Sequence, residues 1–185
     1  MPVPSIISID YLSDQECKIY RWTNSLLNGT RNEKDLIFKN EAEIDYKKIQ
    51  LYYFDILIQS EHEFIKLEVL KRLTFLNWIF MLEPDFFTGI IELDESTVFN
   101  SYEILDIYIR KDKLDDELTW MLKYYSAWEY IIYNHSEGRL DALTTFAKSA
   151  DTSESGLPRR KLPKGTMDNR GQMGIYWKQH VEEIY

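Results

Sequence analysis

The chain has 185 residues, a size typical of one domain, and 44% of its side chains are hydrophobic and 15% aromatic. A chain of this length and composition can bury a substantial core, which excludes a wholly disordered protein. Its 22 Lys and Arg against 31 Asp and Glu give a net charge of −9. This charge repels nucleic-acid phosphates and anionic lipid headgroups, so we expect neither nucleic acid nor a membrane as partner.

Cysteine use and targeting signals predict the compartment. Cys17 is the one cysteine, which excludes an intramolecular disulfide framework and an all-cysteine zinc site. The first ten residues have no basic segment, and Pro4, Ser5 and Ser8 interrupt their apolar run, unlike a signal peptide. The longest strongly apolar stretch, residues 75–82, is far shorter than the roughly 20 residues of a membrane span. We expect a cytoplasmic protein without a membrane segment.

The first predicted helix has a signal at each end. Ser13 followed by Glu16 matches a capping box, in which the hydroxyl accepts one free amide and the carboxylate another. Gly29 supplies a C-terminal stop. Together these signals predict a helix over 14–28.

Apolar residues at spacings of three and four predict the other helices. Acidic residues near the starts of two of them agree with the helix dipole. The predicted ranges are 41–59, 61–82, 96–110, 115–134 and 139–149. With a short terminal helix suggested by Trp177, Val181 and Ile184, the sequence predicts an all-α protein of six to seven helices.

Composition changes near Ala150. Residues 151–185 hold four of the seven Gly and two of the five Pro, and they carry 6 basic and 5 acidic side chains. The acidity therefore belongs to residues 1–150, which we predict to be an acidic helical domain. We predict a flexible, basic-containing linker over 151–174 and a short docking helix over 175–185.

One pattern recurs within the chain. Residues 76–80 (Leu-Asn-Trp-Ile-Phe) and 118–122 (Leu-Thr-Trp-Met-Leu) resemble each other at a spacing of 42 residues. A period near this value is typical of two-helix solenoid repeats such as HEAT repeats. It favours a short stack of antiparallel helical hairpins, pairing helices one with two, three with four and five with six. Because five positions are few and the first hairpin shows no echo, an irregular helical bundle stays open as the alternative.

Patterns of common catalytic and metal sites are missing from the sequence. It contains no phosphate-binding glycine motif, no nucleophile elbow and no His-Glu-x-x-His. None of His62, His135 and His180 has a Glu three residues before it, so the diiron pattern of helical bundles is missing too. We predict no catalytic residue, no cofactor and no metal, and hence a protein that is not an enzyme.

Residues 83–95 have an unusual surface character. They contain five acidic and no basic side chains, together with the adjacent rings of Phe86 and Phe87. Acidic groups steer a basic partner, and aromatic rings anchor it by burial. The alternative is that both rings fold into the core and the acids only stabilise helix starts and keep the surface soluble. The predicted partner-binding residues are Asp85, Phe86, Phe87, Glu92, Asp94 and Glu95.

The one basic cluster lies in the predicted linker. Its four charges support a weak contact with a partner, docking onto the acidic body, or simply a solvated tail. The predicted tail contacts are Arg159, Arg160, Lys161 and Lys164.

Acidity, surface aromatics and the missing catalytic motifs favour a protein that binds another protein. Small acidic helical proteins often neutralise a basic toxin or nuclease, so the first hypothesis is an inhibitor of the immunity or antitoxin type with a basic protein as partner. A structural or adaptor subunit, with residues 151–185 threading onto a neighbour, is the alternative. An enzyme with an unrecognised carboxylate or tyrosine site in a groove is the third hypothesis.

Overall fold

The computed structural model describes residues 7–27, 42–150 and 162–181. These ranges are mainly helical, which confirms the all-α class. A 3-10 turn occupies Ser126–Trp128. The α-helices of the described ranges are α1 Ile9–Leu27, α2 Tyr46–Gln59, α3 Glu63–Leu82, α4 Asp85–Thr88, α5 Glu95–Arg110, α6 Asp116–Tyr125, α7 Glu129–Ser136, α8 Asp141–Ser149 and α9 Gly171–Val181.

Aspartate side chains define the starts of three helices. Asp45, Asp94 and Asp115 each accept the backbone N–H three residues ahead, at 2.9, 2.9 and 2.7 Å respectively. Such a cap typically stabilises a helix by about 1 kcal/mol, because it satisfies an amide that has no acceptor within the helix. The acidic residues near Asp94 and Asp115 are thus explained in part by helix starts.

The capping box predicted at Ser13 is wrong. Helix α1 begins at Ile9, and Ser8 is its cap, since the Ser8 hydroxyl accepts the N–H of Tyr11 at 3.1 Å. Ser13 lies inside the helix and donates its hydroxyl to the Ile9 carbonyl at 2.8 Å. Glu16 is buried instead of reaching back along the helix. The predicted stop at Gly29 lies outside the described residues.

Two elements of the described ranges differ from the predicted helices. The helix predicted over 115–134 is interrupted by the 3-10 turn at Ser126–Trp128. The segment after Pro84, which lies between the predicted helices 61–82 and 96–110, contains the short helix α4. The terminal helix α9 also begins at Gly171, earlier than the predicted start at residue 175.

Helix α3 is the centre of the molecule. It packs against α2 most extensively and also contacts α5, α6, α7 and α9. Every residue from 69 to 79 is buried. The Trp78 ring stacks on Tyr125 with centroids 4.6 Å apart, and it makes edge contacts with Trp128 and Tyr176. The C-terminal half of α3 is therefore surrounded by aromatic side chains from later helices.

Helix α9 packs mainly against α1, and the residues just before it contact α3 through Asn169 and Arg170. Within the predicted linker, Leu162, Met167 and Arg170 are buried, while residues 151–161 lie outside the described ranges. The stack of sequence-adjacent hairpins and the division of the chain at Ala150 both stay predictions.

Candidate functional site

Helix α4 forms a short ridge on the surface. Phe86 and Phe87 are 54% and 47% exposed, and their ring centroids lie 4.5 Å apart. Gly89 ends the helix with a φ of 77°, and a Cβ at this position would lie 2.8 Å from Ile19 and 2.7 Å from Thr23. Glycine therefore allows the ridge to lie close against α1. Neither phenyl ring belongs to the buried core, and we call this pair the Phe86–Phe87 ridge.

A groove of about 680 Å³ lies on the Phe86 side of the ridge. Its apolar lining includes Ile91, which is 81% exposed. Carboxylates outnumber ammonium groups around it, and we call it the acidic groove. Its ionisable residues other than Tyr46 are Glu43, Asp45, Lys47, Lys48, Asp85 and Glu92.

A second groove, of about 420 Å³, lies on the Phe87 side. Aromatic rings dominate its wall, and we call it the aromatic groove. Its lining also includes Glu83 and His180 but no Lys or Arg among the described residues. The rings are those of Tyr20, Phe75, Phe87, Tyr124, Trp128 and Tyr176. The Phe86–Phe87 ridge thus separates two grooves of different character.

Four of the predicted partner-binding residues meet at these grooves. Asp85, Phe86 and Glu92 line the acidic groove, and Phe87 lines the aromatic groove. The Glu92 carboxylate pairs with Lys47 at 2.5 Å, so part of its charge is neutralised within the chain. Of the two acidic residues, Asp85 is therefore the better candidate for an ionic contact with a partner.

The other two predicted acids line neither groove. Asp94 caps α5 and accepts hydrogen bonds from the Ser96 hydroxyl at 2.5 Å and from the Thr97 N–H at 2.9 Å. These bonds lower the pKa of Asp94. Glu95 is exposed in the first turn of α5. Both residues serve the start of the helix, where carboxylates interact favourably with the dipole.

The predicted tail contacts fall largely outside the described residues. Arg159, Arg160 and Lys161 lie in the range 151–161, which the structure does not describe. Lys164 is described and is exposed in the turns before α9. The tail contact stays a prediction.

A cluster of buried ionic contacts fixes the segment before α9 to the body. Arg170 donates to Glu68 at 2.5 and 3.0 Å and to Glu117 at 2.7 and 3.0 Å. Lys71 lies 2.6 Å from Glu117, and Arg72 donates to Glu68 at 2.9 Å. Arg170 is 9% exposed, so two carboxylates compensate the cost of burying its charge.

Glu16 extends this cluster into α1. Its carboxylate accepts the Tyr53 hydroxyl at 2.6 Å and the Gln172 N–H at 2.7 Å. Burial raises the pKa of Glu16, and the Arg72 charge offsets this only in part. Burial likewise raises the pKa of Tyr53 well above its ordinary value. Groups whose pKa is shifted in this way are common in active sites, but they also occur in structural ion-pair networks.

The geometry assigns this buried cluster to the fold. Neither groove is lined by Glu16, Arg72 or Arg170. Their polar atoms face one another and the backbone of the segment around residues 169–172. We call this set the buried charge cluster, and its role is to hold residues 162–181 against α1 and α3.

Sequence reasoning missed both the aromatic groove and Arg170. The groove takes its rings from α1, α3, α4, α6, the 3-10 turn and α9, which lie far apart in the chain. Local periodicity predicts only which side of each helix is buried. The available signal was the density of aromatic residues in 120–128 and 176–177.

Searches for metal sites, for membrane-spanning helices and for related proteins do not assign a function to the described residues. In the described ranges, no group of three or more His, Cys, Asp or Glu could hold a metal ion. The helices of the same ranges are too short or too polar to cross a membrane. No protein-family model matches the chain, and no curated protein or solved structure matches it significantly. A cytoplasmic location stays a prediction.

Proposed function

We propose that the protein is a non-enzymatic binding protein that docks a basic partner protein on the Phe86–Phe87 ridge. Its specific form is an inhibitor of the immunity or antitoxin type. The observation that carries this proposal is a pair of half-exposed rings standing between two grooves. Exposed apolar groups with a polar rim mark interaction surfaces, and buried aromatic side chains supply much of the binding energy.

Charge supports a basic partner. The chain carries a net charge of −9, and carboxylates outnumber ammonium groups at the acidic groove. Such a field accelerates the association of a positively charged protein and repels an acidic one. Because salt screens exposed charges, the association rate falls as ionic strength rises.

The two rival functions have less support. An adaptor would use residues 151–185 to reach a neighbour, whereas the described part, 162–181, contacts α1 and α3 of its own chain. An enzyme would place a group with a pKa near neutrality at a cleft, whereas Glu16 lies in the interior, and the groove residues Tyr46 and Tyr176 have raised pKa values that keep them protonated. Both observations favour the ridge as the working surface.

The test begins by capturing the partner on the wild-type chain and identifying it by mass spectrometry. Association and dissociation rates are then measured for Asp85→Lys and Phe86→Ala. Asp85→Lys should slow association several-fold at low salt, because it reverses the charge that steers the partner. Phe86→Ala should raise the dissociation rate about tenfold, because it removes an anchor ring. An inhibitor should also abolish the activity of its partner at equimolar ratio.

Matched controls lie away from the ridge. Glu61→Lys reverses an exposed charge, and Phe64→Ala removes a ring that is 81% exposed, and neither residue lines a groove. Both should leave the rates unchanged. Equal effects of ridge and control variants, or an acidic captured protein, would contradict the proposal.

A further inference from the structure

The aromatic groove has the composition of a site for an organic cation. Tyr124 and Trp128 have ring centroids 5.3 Å apart, and Tyr124 and Tyr176 have centroids 6.4 Å apart. All three residues are partly exposed, and the His180 ring stacks on one face of Tyr176 with centroids 4.2 Å apart. The faces of aromatic rings carry negative charge density and attract cations, with Trp the strongest of the three types.

Among its described lining residues, the aromatic groove has a carboxylate, Glu83, and an imidazole, His180. No Lys or Arg is among its described lining residues, whereas Glu83 contributes an exposed carboxylate. The Tyr124 and Tyr176 hydroxyls lie 2.8 Å apart. Burial and this hydrogen bond raise the pKa of Tyr176, and the Glu83 charge adds to the rise. Glu83 and the three rings line the same groove, so one bound group can contact both the carboxylate and the rings.

The groove adjoins the proposed binding surface. Phe87 lines it, and the Phe87 ring contacts Phe86 across the ridge. A basic protein seated on the ridge would bring its own side chains to this groove. Among basic side chains, the planar guanidinium of Arg stacks on aromatic faces and pairs with a carboxylate through two hydrogen bonds.

We propose that the aromatic groove receives an arginine side chain of the basic partner, held by the Tyr124, Trp128 and Tyr176 rings with its charge toward Glu83. This inference rests on the proposed function and names the group that the surface recognises. In this proposal the aromatic groove has a different role from the acidic groove, which lies on the other side of the ridge.

The experiment uses the full chain and small probes, so that it does not depend on the partner. N-acetyl-arginine amide is titrated while the indole N–H signal of Trp128 is followed by NMR. N-acetyl-citrulline amide has nearly the same shape but no charge, and it serves as the matched probe. The arginine probe should give a saturable shift of the Trp128 signal and bind about fivefold or more tightly than the citrulline probe.

A variant tests the carboxylate. Glu83→Gln should lower the affinity for the arginine probe about threefold or more and leave the affinity for the citrulline probe unchanged. Glu61→Gln, at an exposed position that does not line the groove, should change neither. Equal affinity for the two probes, or no saturable shift at Trp128, would overturn the inference.

The outcomes separate this inference from the proposed function. If Phe86→Ala weakens the partner complex while the arginine probe does not bind, the ridge stands and the arginine site is wrong. If the probe binds with the expected preference while Phe86→Ala leaves the complex unchanged, the groove recognises cations but the proposed docking surface is wrong.

Discussion

The carboxylate of Glu16 in α1 accepts the backbone N–H of Gln172 in α9 at 2.7 Å, although these residues are 156 positions apart. Gln172 is the second residue of α9, so its N–H is one of the amides that find no acceptor within the helix. A side chain of the first helix thus caps the last described one, and its negative charge suits the dipole there.

Replacing Glu16 by Gln should destabilise the protein by about 2 kcal/mol. Both carboxylate oxygens accept hydrogen bonds, from Tyr53 and from Gln172, and a Gln amide would turn one N–H₂ group toward a donor. Urea unfolding at neutral pH measures the change. Asp14→Asn is the control, because the Asp14 side chain is 55% exposed and its ion pair with Lys18 should contribute less than about 0.5 kcal/mol. Equal midpoints for both variants would contradict the role given to Glu16.

Arg170→Met should destabilise the protein by about 3 kcal/mol, since it leaves Glu68 and Glu117 with fewer compensating charges. Arg170→Lys should recover only part of the loss, because one ammonium cannot reproduce the four hydrogen bonds of the guanidinium. The same unfolding measurement applies. Lys148→Ala removes an ion pair in which both side chains are more than half exposed, and it should have little effect. A loss no larger than that of Lys148→Ala would show that the cluster is not needed.

The free energy of unfolding should decrease at acidic pH, because the Glu117 carboxylate becomes protonated. Burial opposes ionisation of this carboxyl, but Arg170 and Lys71 outweigh it and lower its pKa to about 2. Because the folded pKa lies below the ordinary 4.5, the stabilisation is complete above pH 4.5 and is lost as the pH falls toward 2. Glu16 acts in the opposite sense, since its raised pKa makes protonation favour the folded state as the pH falls through that value.

The variant Glu117→Gln isolates this contribution. It should be less stable than the wild type at about pH 6 and should lose less stability between about pH 4.5 and 2, with a difference of at least about 1 kcal/mol. Urea unfolding at several pH values gives the two curves. Parallel curves would show that Glu117 does not control the acid response.

Two glycines with positive φ should differ in their tolerance of alanine. Gly138 has a φ of +75°, and a Cβ added there would meet no atom within 4 Å, so Gly138→Ala should cost about 1 kcal/mol from the backbone alone. Gly171 has a φ of +58°, and a Cβ there would overlap the Glu16 carboxylate. The loss of stability caused by Gly171→Ala should therefore exceed that caused by Gly138→Ala by at least about 1 kcal/mol, as measured by thermal or urea unfolding. A smaller loss would show that Glu16 can move aside.

Features carried by local patterns could be predicted from the sequence. The ranges of α2, α3, α5 and α8 follow from apolar spacing, and their predicted bounds differ from the observed ones by a few residues. Ser13 misled the prediction because a hydroxyl that caps a helix and one that bonds the preceding turn look alike in a sequence.

Features that join distant segments could not be predicted. Arg170 stands in a stretch rich in Gly and Pro, and only the folded chain places it between Glu68 and Glu117. The exposure of Phe86 and Phe87 likewise depends on how α4 lies on α1, which no local pattern specifies. Composition thus predicts the proposed binding surface, whereas its division into two grooves is visible only in the structure.

The contact between Glu16 and Gln172 constrains how the protein is made. During synthesis α1 leaves the ribosome long before α9 exists. The Glu16 carboxylate and the aromatic side chains around Trp78 therefore lack their final neighbours at that stage. Closing so long a loop slows folding, because chain entropy is lost before the contact forms. We therefore expect the contacts of α9 with α1 and α3 to form late in folding.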